Sequence, residues 1–356
     1  MSLIRLPRSN TARIFSLLPA ILATLTAFGT TLFAASPDSE LISRAAAIFG
    51  PLPESMPSPD NPITPEKVKL GRILFWEPRI SSDRTVSCAK CHPPGLYAED
   101  GLRKALGNHY KGNPRNSPTL LNAAAQISEH WIGNRTSVED QAKQALIGPP
   151  SYGMPDYASV EKILRGMSGY RAMFKEAFPG EKEPVTADNF AKAVGAFERT
   201  FITPAPFDEF MRGNAAALTD QQKRGLRTFL DTGCMTCHLS PYLGGQMYQK
   251  FGVVEPYEKY TKSAPVDEGR FAVTKNPADK FFFKVPVLRN VAQTPPYFHD
   301  GSVDRLSDAV MIMARIQLGK DLAREPIDDI AAFLGSLTGR IPDALLSVPV
   351  LPSEQE

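Results

Sequence analysis

Two pentapeptides, Cys88-Ala89-Lys90-Cys91-His92 and Cys234-Met235-Thr236-Cys237-His238, contain all four cysteines of the chain. A Cys-x-x-Cys-His run is the attachment site of a c-type haem. The two thiols add across the vinyl groups as thioethers, and the histidine that follows is held where it can bond the iron from one face. A redox pair, half of a zinc site and a pair of structural disulfides are the competing readings. A redox pair does not need the histidine and would not be expected twice. Zinc held by two Cys-x-x-Cys pairs would leave both adjacent histidines coincidental. The expectation is two covalently bound haem c groups, one on Cys88, Cys91 and His92, the other on Cys234, Cys237 and His238.

Residues 1–35 carry Arg5, Arg8 and Arg13, then an apolar stretch from Ile14 to Phe33, with small residues at Ala34-Ala35-Ser36. This reads as a secretory signal peptide. The stretch is long and its cleavage site imperfect, so an uncleaved membrane anchor is the alternative. Export to the periplasm agrees with the cysteines, because bacteria attach haem covalently outside the cytoplasmic membrane. Losing the three leader arginines takes the formal charge from +2 to about −1. Nothing in that balance suggests nucleic-acid binding, and a partner with a basic docking face is compatible with it.

After the leader, Pro51 to Pro65 is proline-rich and aperiodic, which predicts extended chain on the surface. Thr64 is placed to cap a helix with Pro65 in its first position, and Val68, Gly71, Leu74 and Phe75 give that helix an apolar face. The pattern recurs before the second pentapeptide. Thr219 begins a capping box with Gln222, and Lys223-x-Gly225-x-x-x-Phe229 matches Lys69-x-Gly71-x-x-x-Phe75. We read an internal duplication of a cytochrome c-like unit, with Trp76 to Ser87 as extra residues in the first copy. Further helices are expected from a cap at Asp188 through Phe197, from Ser307 to near Gly319, and from about Glu325 to near Gly339.

No run of alternating strands is evident, and the 32 prolines point to long, stiff loops. The expected fold is mainly α, with two cytochrome c-like domains, each holding one covalently bound c-type haem under long loops. The N-terminal domain spans 51–203 and the C-terminal domain 207–340, divided near Thr203-Pro204-Ala205-Pro206. The tail, 341–356, either folds back on the first domain or hangs free.

Each iron needs its sixth position explained, because an open site does chemistry and a filled one transfers electrons. His109, His130, His299 and ten methionines remain as candidates. Met313 follows His238 on a helix, as the methionine of a single-domain cytochrome c does, against the alternative of ordinary core beside Met311. His/Met ligation raises a haem potential. For the first haem, His109 lies in the loop Gly107-Asn108-His109-Tyr110-Lys111-Gly112, which could swing a ligand on and off the iron, against a plain surface histidine.

Over its whole mature length the chain resembles the bacterial di-haem cytochrome c peroxidases. The resemblance rests on Leu70-Gly71-x-x-Leu74-Phe75, Gly112-x-Pro114-Arg115-Asn116-Ser117-Pro118-Thr119, Phe178-Pro179-Gly180, Phe251-Gly252-Val253-Val254, Gly269-Arg270-Phe271, Pro296-Tyr297-Phe298-His299-x-Gly301 and Ala332-Phe333-Leu334-x-Ser336-Leu337-Thr338-Gly339. It implies an electron-accepting haem on His238 and Met313, and a peroxidatic haem on His92 whose distal loop histidine leaves on activation. It also implies a calcium ion held by a side-chain oxygen of Asn116 and backbone oxygens of Thr294 and Pro296, oxygen ligands that suit a hard cation. Trp131 matches a tryptophan between the haems and would be a stop for electrons. The implied reaction is reduction of hydrogen peroxide to water, with electrons from a small cytochrome c or cupredoxin, and family members are commonly homodimers.

Two departures stand out. His109 falls one residue after the family's loop histidine, with Asn108 in that place. Gly153 stands where the family keeps a glutamate before a methionine, in Gly148-Pro149-Pro150-Ser151-Tyr152-Gly153-Met154. An acid there moves a proton between the peroxide oxygens, an effect worth about 10²–10⁴-fold. Glu139 and Tyr152 are the nearby candidates to take over, each with a structural role as the alternative. The lost acid leaves room for a relative of the methylamine-utilisation di-haem enzymes, which oxidise a side chain on a partner protein. In that group a tyrosine replaces the axial methionine, so Met313 argues against it. A two-haem electron carrier with no open iron is the remaining reading.

Overall fold

Gly71 and Gly225 sit at the same place in two helix crossings that organise the chain. The computed structural model describes residues 36–354, and the leader expected over 1–35 lies outside them. In chain order the helices are α1 (Pro37–Phe49), α2 (Pro65–Phe75), the turn α3 (Cys88–Cys91), α4 (Val138–Ile147), α5 (Tyr157–Arg165), α6 (Ser168–Ala177), α7 (Ala187–Glu198), α8 (Pro206–Met211), α9 (Asp220–Thr232), the turns α10 (Glu258–Thr261) and α11 (Phe271–Thr274), α12 (Leu306–Leu318), α13 (Arg324–Gly335) and α14 (Asp343–Leu346). Among the described residues the named strands are β1 (Tyr248–Lys250) and β2 (Phe282–Lys284), antiparallel with Tyr248 opposite Lys284. The architecture is mainly helical, as expected.

The caps that the sequence marks are in place. Thr64 accepts from the Lys67 N–H at 3.3 Å, and Thr219 and Gln222 bond each other's backbone at 3.2 and 2.9 Å. The cap of α7 is Thr186 rather than Asp188. The Thr186 hydroxyl accepts from Asn189 N–H at 3.1 Å, while Asp188 in the first turn pairs with Lys143.

α2 crosses α7 and α9 crosses α13 in the same manner. A Cβ on Gly71 would overlap the Ala193 carbonyl and crowd Phe197, and one on Gly225 would overlap the Asp329 carbonyl and crowd Phe333. Phe75 meets Phe197 at 5.7 Å between ring centroids, as Phe229 meets Phe333 at 5.3 Å. The repeat also reaches Asn122 and Asn290, both left-handed and both donating to the Thr203 hydroxyl, at 2.8 and 2.9 Å. Because the glycines face backbone that cannot step aside, Gly225→Ala is expected to destabilise the holoprotein by about 1–3 kcal/mol, read as a fall in the thermal midpoint. An unchanged midpoint would contradict the close crossing.

Each crossing has its own apolar core, one built around Leu70, Leu74, Phe174, Phe190 and Val194, the other around Phe207, Leu226, Phe229, Ile330 and Phe333. The chain ends are exchanged between them. α1, which the sequence pattern did not reveal, lays Leu41, Ala45 and Phe49 on the second core, and Lys223 holds Asp38 at 2.8 Å. The tail folds back on the first: Leu345 is buried beside Phe75 and Phe201, and Arg72 donates to the Ala344 carbonyl at 2.8 Å. The segment before α2 is extended but not wholly on the surface, since Met56 and Asn61 are buried.

Candidate functional site

Both pentapeptides form a single helical turn that places two thiols and one imidazole together. Each imidazole is oriented in the same way. Nδ1 of His92 lies 3.1 Å from the Ala98 carbonyl and Nδ1 of His238 lies 3.0 Å from the Leu243 carbonyl. A carbonyl can only accept, so Nδ1 carries the proton and Nε2 keeps its lone pair for a metal. Desolvation pulls both rings down to about 4, so they are neutral at physiological pH. Burial pushes the Cys88 thiol up to about 12 and those of Cys91 and Cys234 to about 11. Neutral thiols beside a neutral, oriented imidazole are the donor set that covalent haem needs, so the residues present fit the group at both sites.

The second motif opens on an apolar cavity lined by Cys234, Cys237, His238, Phe229, Leu334 and Met313. α12 brings Met313 there because Ala309, Ile312 and Ile316 bury an adjoining stripe of the helix, and left-handed Gly319 ends it. The cavity continues to Trp131, whose Nε1 donates to the Asn116 carbonyl at 2.9 Å. Trp131 therefore connects the loop after the first motif to the second cavity. Asn116, Thr294 and Pro296 line the same cavity. Asn116 Nδ2 donates to Glu99 Oε1 at 3.1 Å and to the Leu102 carbonyl at 3.0 Å, which leaves its Oδ1 available. Burial raises the Glu99 carboxyl to about 7. Oxygen ligands of this kind are the type a hard cation takes.

The first site is built differently. Tyr152 is buried with its hydroxyl 3.3 Å from Cys88 Sγ, and desolvation holds the phenol well above its usual range, so it stays protonated. Loops 107–113 and 148–153 are stitched together over it. Asn108 Nδ2 donates to the Pro149 and Ser151 carbonyls at 2.5 and 2.8 Å, and Asn113 Nδ2 to the Pro150 carbonyl at 2.9 Å. The Asn108 amide occupies the space that a side chain at Gly153 would need, and Gly153 is left-handed at φ 66°. The two departures read from the sequence are thus one packing arrangement. His109 is exposed, and Asp83 accepts its backbone N–H at 2.6 Å.

Glu139, on α4, is held by Arg199 in a two-point ion pair, with Nε to Oε1 at 2.8 Å and Nη2 to Oε2 at 2.9 Å, and by Asn61 at 3.0 Å. These donors outweigh desolvation and keep the carboxylate below its usual range. That geometry favours the structural role. Glu139→Ala would leave Arg199 buried without its partner, at a cost of about 3–5 kcal/mol. We expect a large drop in the thermal midpoint with kcat per folded holoenzyme little changed, measured by calorimetry and steady-state kinetics.

Sequence reasoning passed over a buried ionisable group beside the first site: Glu129, Glu198 and Lys284, each under a tenth exposed. The signal was available in part. Glu198 closes a helix whose residues from Phe190 to Phe197 are almost all small or apolar, so its carboxyl had to be buried too.

Comparison with known proteins agrees with this geometry. The family model described as di-haem cytochrome c peroxidase matches residues 65–216. The chain is 40% identical over 321 residues to the cytochrome c551 peroxidase of Pseudomonas aeruginosa, covering 89% of this chain and 91% of that protein. It is 33% identical over 313 residues to the methylamine utilization protein MauG of Methylorubrum extorquens, covering 84% and 86%. A crystal structure of a MauG-like protein associated with microbial copper homeostasis superposes with a TM-score of 0.75 at 28% identity, over 84% of this chain and 97% of that one. With matches of that extent, the chain belongs to the di-haem cytochrome c peroxidase family and is an oxidoreductase of the peroxidase type.

Proposed function

We propose that the protein takes single electrons at the site of His238 and Met313 and uses them at the site of His92 to reduce hydrogen peroxide to water. Haem, when bound, supplies the redox chemistry and the iron that meets peroxide. The observation that carries this reading is the contrast between the two sites. Met313 shares a cavity with His238, whereas at the first site Tyr152 sets its hydroxyl 3.3 Å from Cys88 Sγ and the loop histidine His109 is exposed. The chain's own residues orient both imidazoles, and Trp131 lies on the connection between the sites. Tyr152 holds a proton beside the first site. The two units correspond to 51–203 and 207–340, carried to the periplasm by the leader, with a small cytochrome c or cupredoxin as donor and a homodimer as the assembly.

Steady-state peroxide turnover by the holoprotein, with a reduced small cytochrome c as donor, tests the reading. Turnover after half-reduction is expected, and none would overturn it. A MauG-like role in oxidising a partner protein is the second reading, favoured by the missing acid at Gly153 and opposed by Met313.

Asn116, Thr294 and Pro296, which line one cavity, are proposed to hold calcium through their oxygens. A ligand that binds only the folded state stabilises it in proportion to occupancy. Chelation is therefore expected to lower the thermal midpoint, and Asn116→Ala to make it insensitive to added calcium.

A further inference from the structure

Glu129, Glu198, Arg199 and Lys284 are buried, and Glu139 half-buried, where α7, α4 and the loop 126–135 meet. Arg199 is committed to Glu139 through two bonds and donates its remaining nitrogen to the Met56 carbonyl at 3.1 Å. Lys284 faces Glu129 at 3.9 Å and donates to Gln126 Oε1 at 2.6 Å. Among the described residues no ion pair reaches Glu198. It is 2% exposed, and its Oε2 has no hydrogen-bond partner among them.

We propose that Glu198 is the proton acceptor coupled to reduction of the haem held at Cys88 and Cys91, taking up one proton when that haem takes up one electron. The carboxylate and a proton from solvent give the carboxylic acid. Ferric haem and an electron from a one-electron carrier give ferrous haem. No other bond changes.

The groups facing Glu198 set the direction. Glu129 from the loop and Glu139 from α4 add negative charge, and Arg199 on its own helix offsets part of it. Desolvation is the largest effect, and together these hold the carboxyl well above its usual range. α2 meets α7 through Gly71 and Phe75, while its own Lys69 and Arg72 are paired with Glu176 and the tail. The turn 123–125 contributes only the Ala124 carbonyl, directed to Arg199. Phe197, the residue before Glu198, belongs to the apolar cluster against which Cys88 packs, and the charge of Glu198 raises the Cys88 thiol in part. A ferric haem attached there adds one positive charge that a ferrous haem lacks. Ferric haem thus favours the ionised carboxylate and ferrous haem the acid, so proton uptake accompanies reduction. Lys284 and Gln126 line the second cavity, and Gln126 Nε2 donates to Glu129 Oε2 at 3.4 Å.

The inference rests on haem attachment at the first motif, which two haems per chain by intact mass would establish separately. The test is a redox titration of the first haem in the full holoprotein, followed by its absorbance at a series of pH values. In a window above the usual carboxylate range, the reduction equilibrium should fall tenfold per pH unit, about 59 mV for one electron. Glu198→Gln should flatten that window. Glu129→Gln should keep the slope and move the window to lower pH, because one neighbouring negative charge is gone. A slope in Glu198→Gln equal to that of the parent overturns the proposal. As a check that needs no variant, the reduced-minus-oxidised infrared spectrum should gain the carbonyl stretch of a protonated carboxyl, and its absence also overturns the proposal.

Discussion

Met313→His is expected to lower the potential of the second haem by about two decades of reduction equilibrium, ~120 mV at 59 mV per decade, and to slow peroxide turnover at least in proportion. Methionine as sixth ligand favours the ferrous state relative to histidine. Met313 lines the cavity that contains His238, Cys234 and Cys237, and His238 presents Nε2 because Leu243 holds Nδ1. A potential that does not move in Met313→His would mean that the methionine is ordinary core, as Ile312 and Ala314 beside it are.

Gly153→Glu alone is expected to lose stability, about 1–3 kcal/mol from overpacking and left-handed strain, without gaining activity. Asn108 fills the volume a side chain would need, and the Pro149 and Ser151 carbonyls hold that amide in place. In combination with Asn108→Ala the volume is vacated, and the new acid can serve the first site. The double variant should raise turnover toward the lower end of the range for general acid–base catalysis, ~10²-fold. Equal gains from the single and the double variants would contradict the coupling of the two positions.

The two motif-bearing helix crossings were legible because their signals are local. A threonine cap, a glycine followed four residues later by a phenylalanine, and the pentapeptide all lie within short stretches, and each appears twice. α4, α5 and α6 went unread although Ser137 and Asp156 cap two of them, accepting from Asp140 and Ser159 N–H at 3.2 and 2.7 Å. Nine or ten residues show too few turns for periodicity to stand out. The exchange of chain ends had no local signal at all. Only the folded chain brings Leu345 to Phe75, or Phe49 within 5.7 Å of Phe207.

The same limit applied to the first site. Sequence reasoning named Asn108 and Gly153 as separate departures, and their contact across 45 residues appears only in three dimensions. Glu139 was a candidate acid by proximity in sequence. Its two-point ion pair with Arg199, 60 residues away, appears only in the folded chain.

The account's central claim is that two matching motifs hold unlike irons. The most direct measurement is the ligand set and coordination number of each iron in the holoprotein before and after one-electron reduction, by low-temperature magnetic and Raman spectroscopy. The account predicts a six-coordinate His/Met haem at His238 in both states, and an iron at His92 with an open position after reduction that reacts with peroxide. Two six-coordinate haems that persist after reduction and ignore peroxide would contradict it, and would leave an electron carrier in its place.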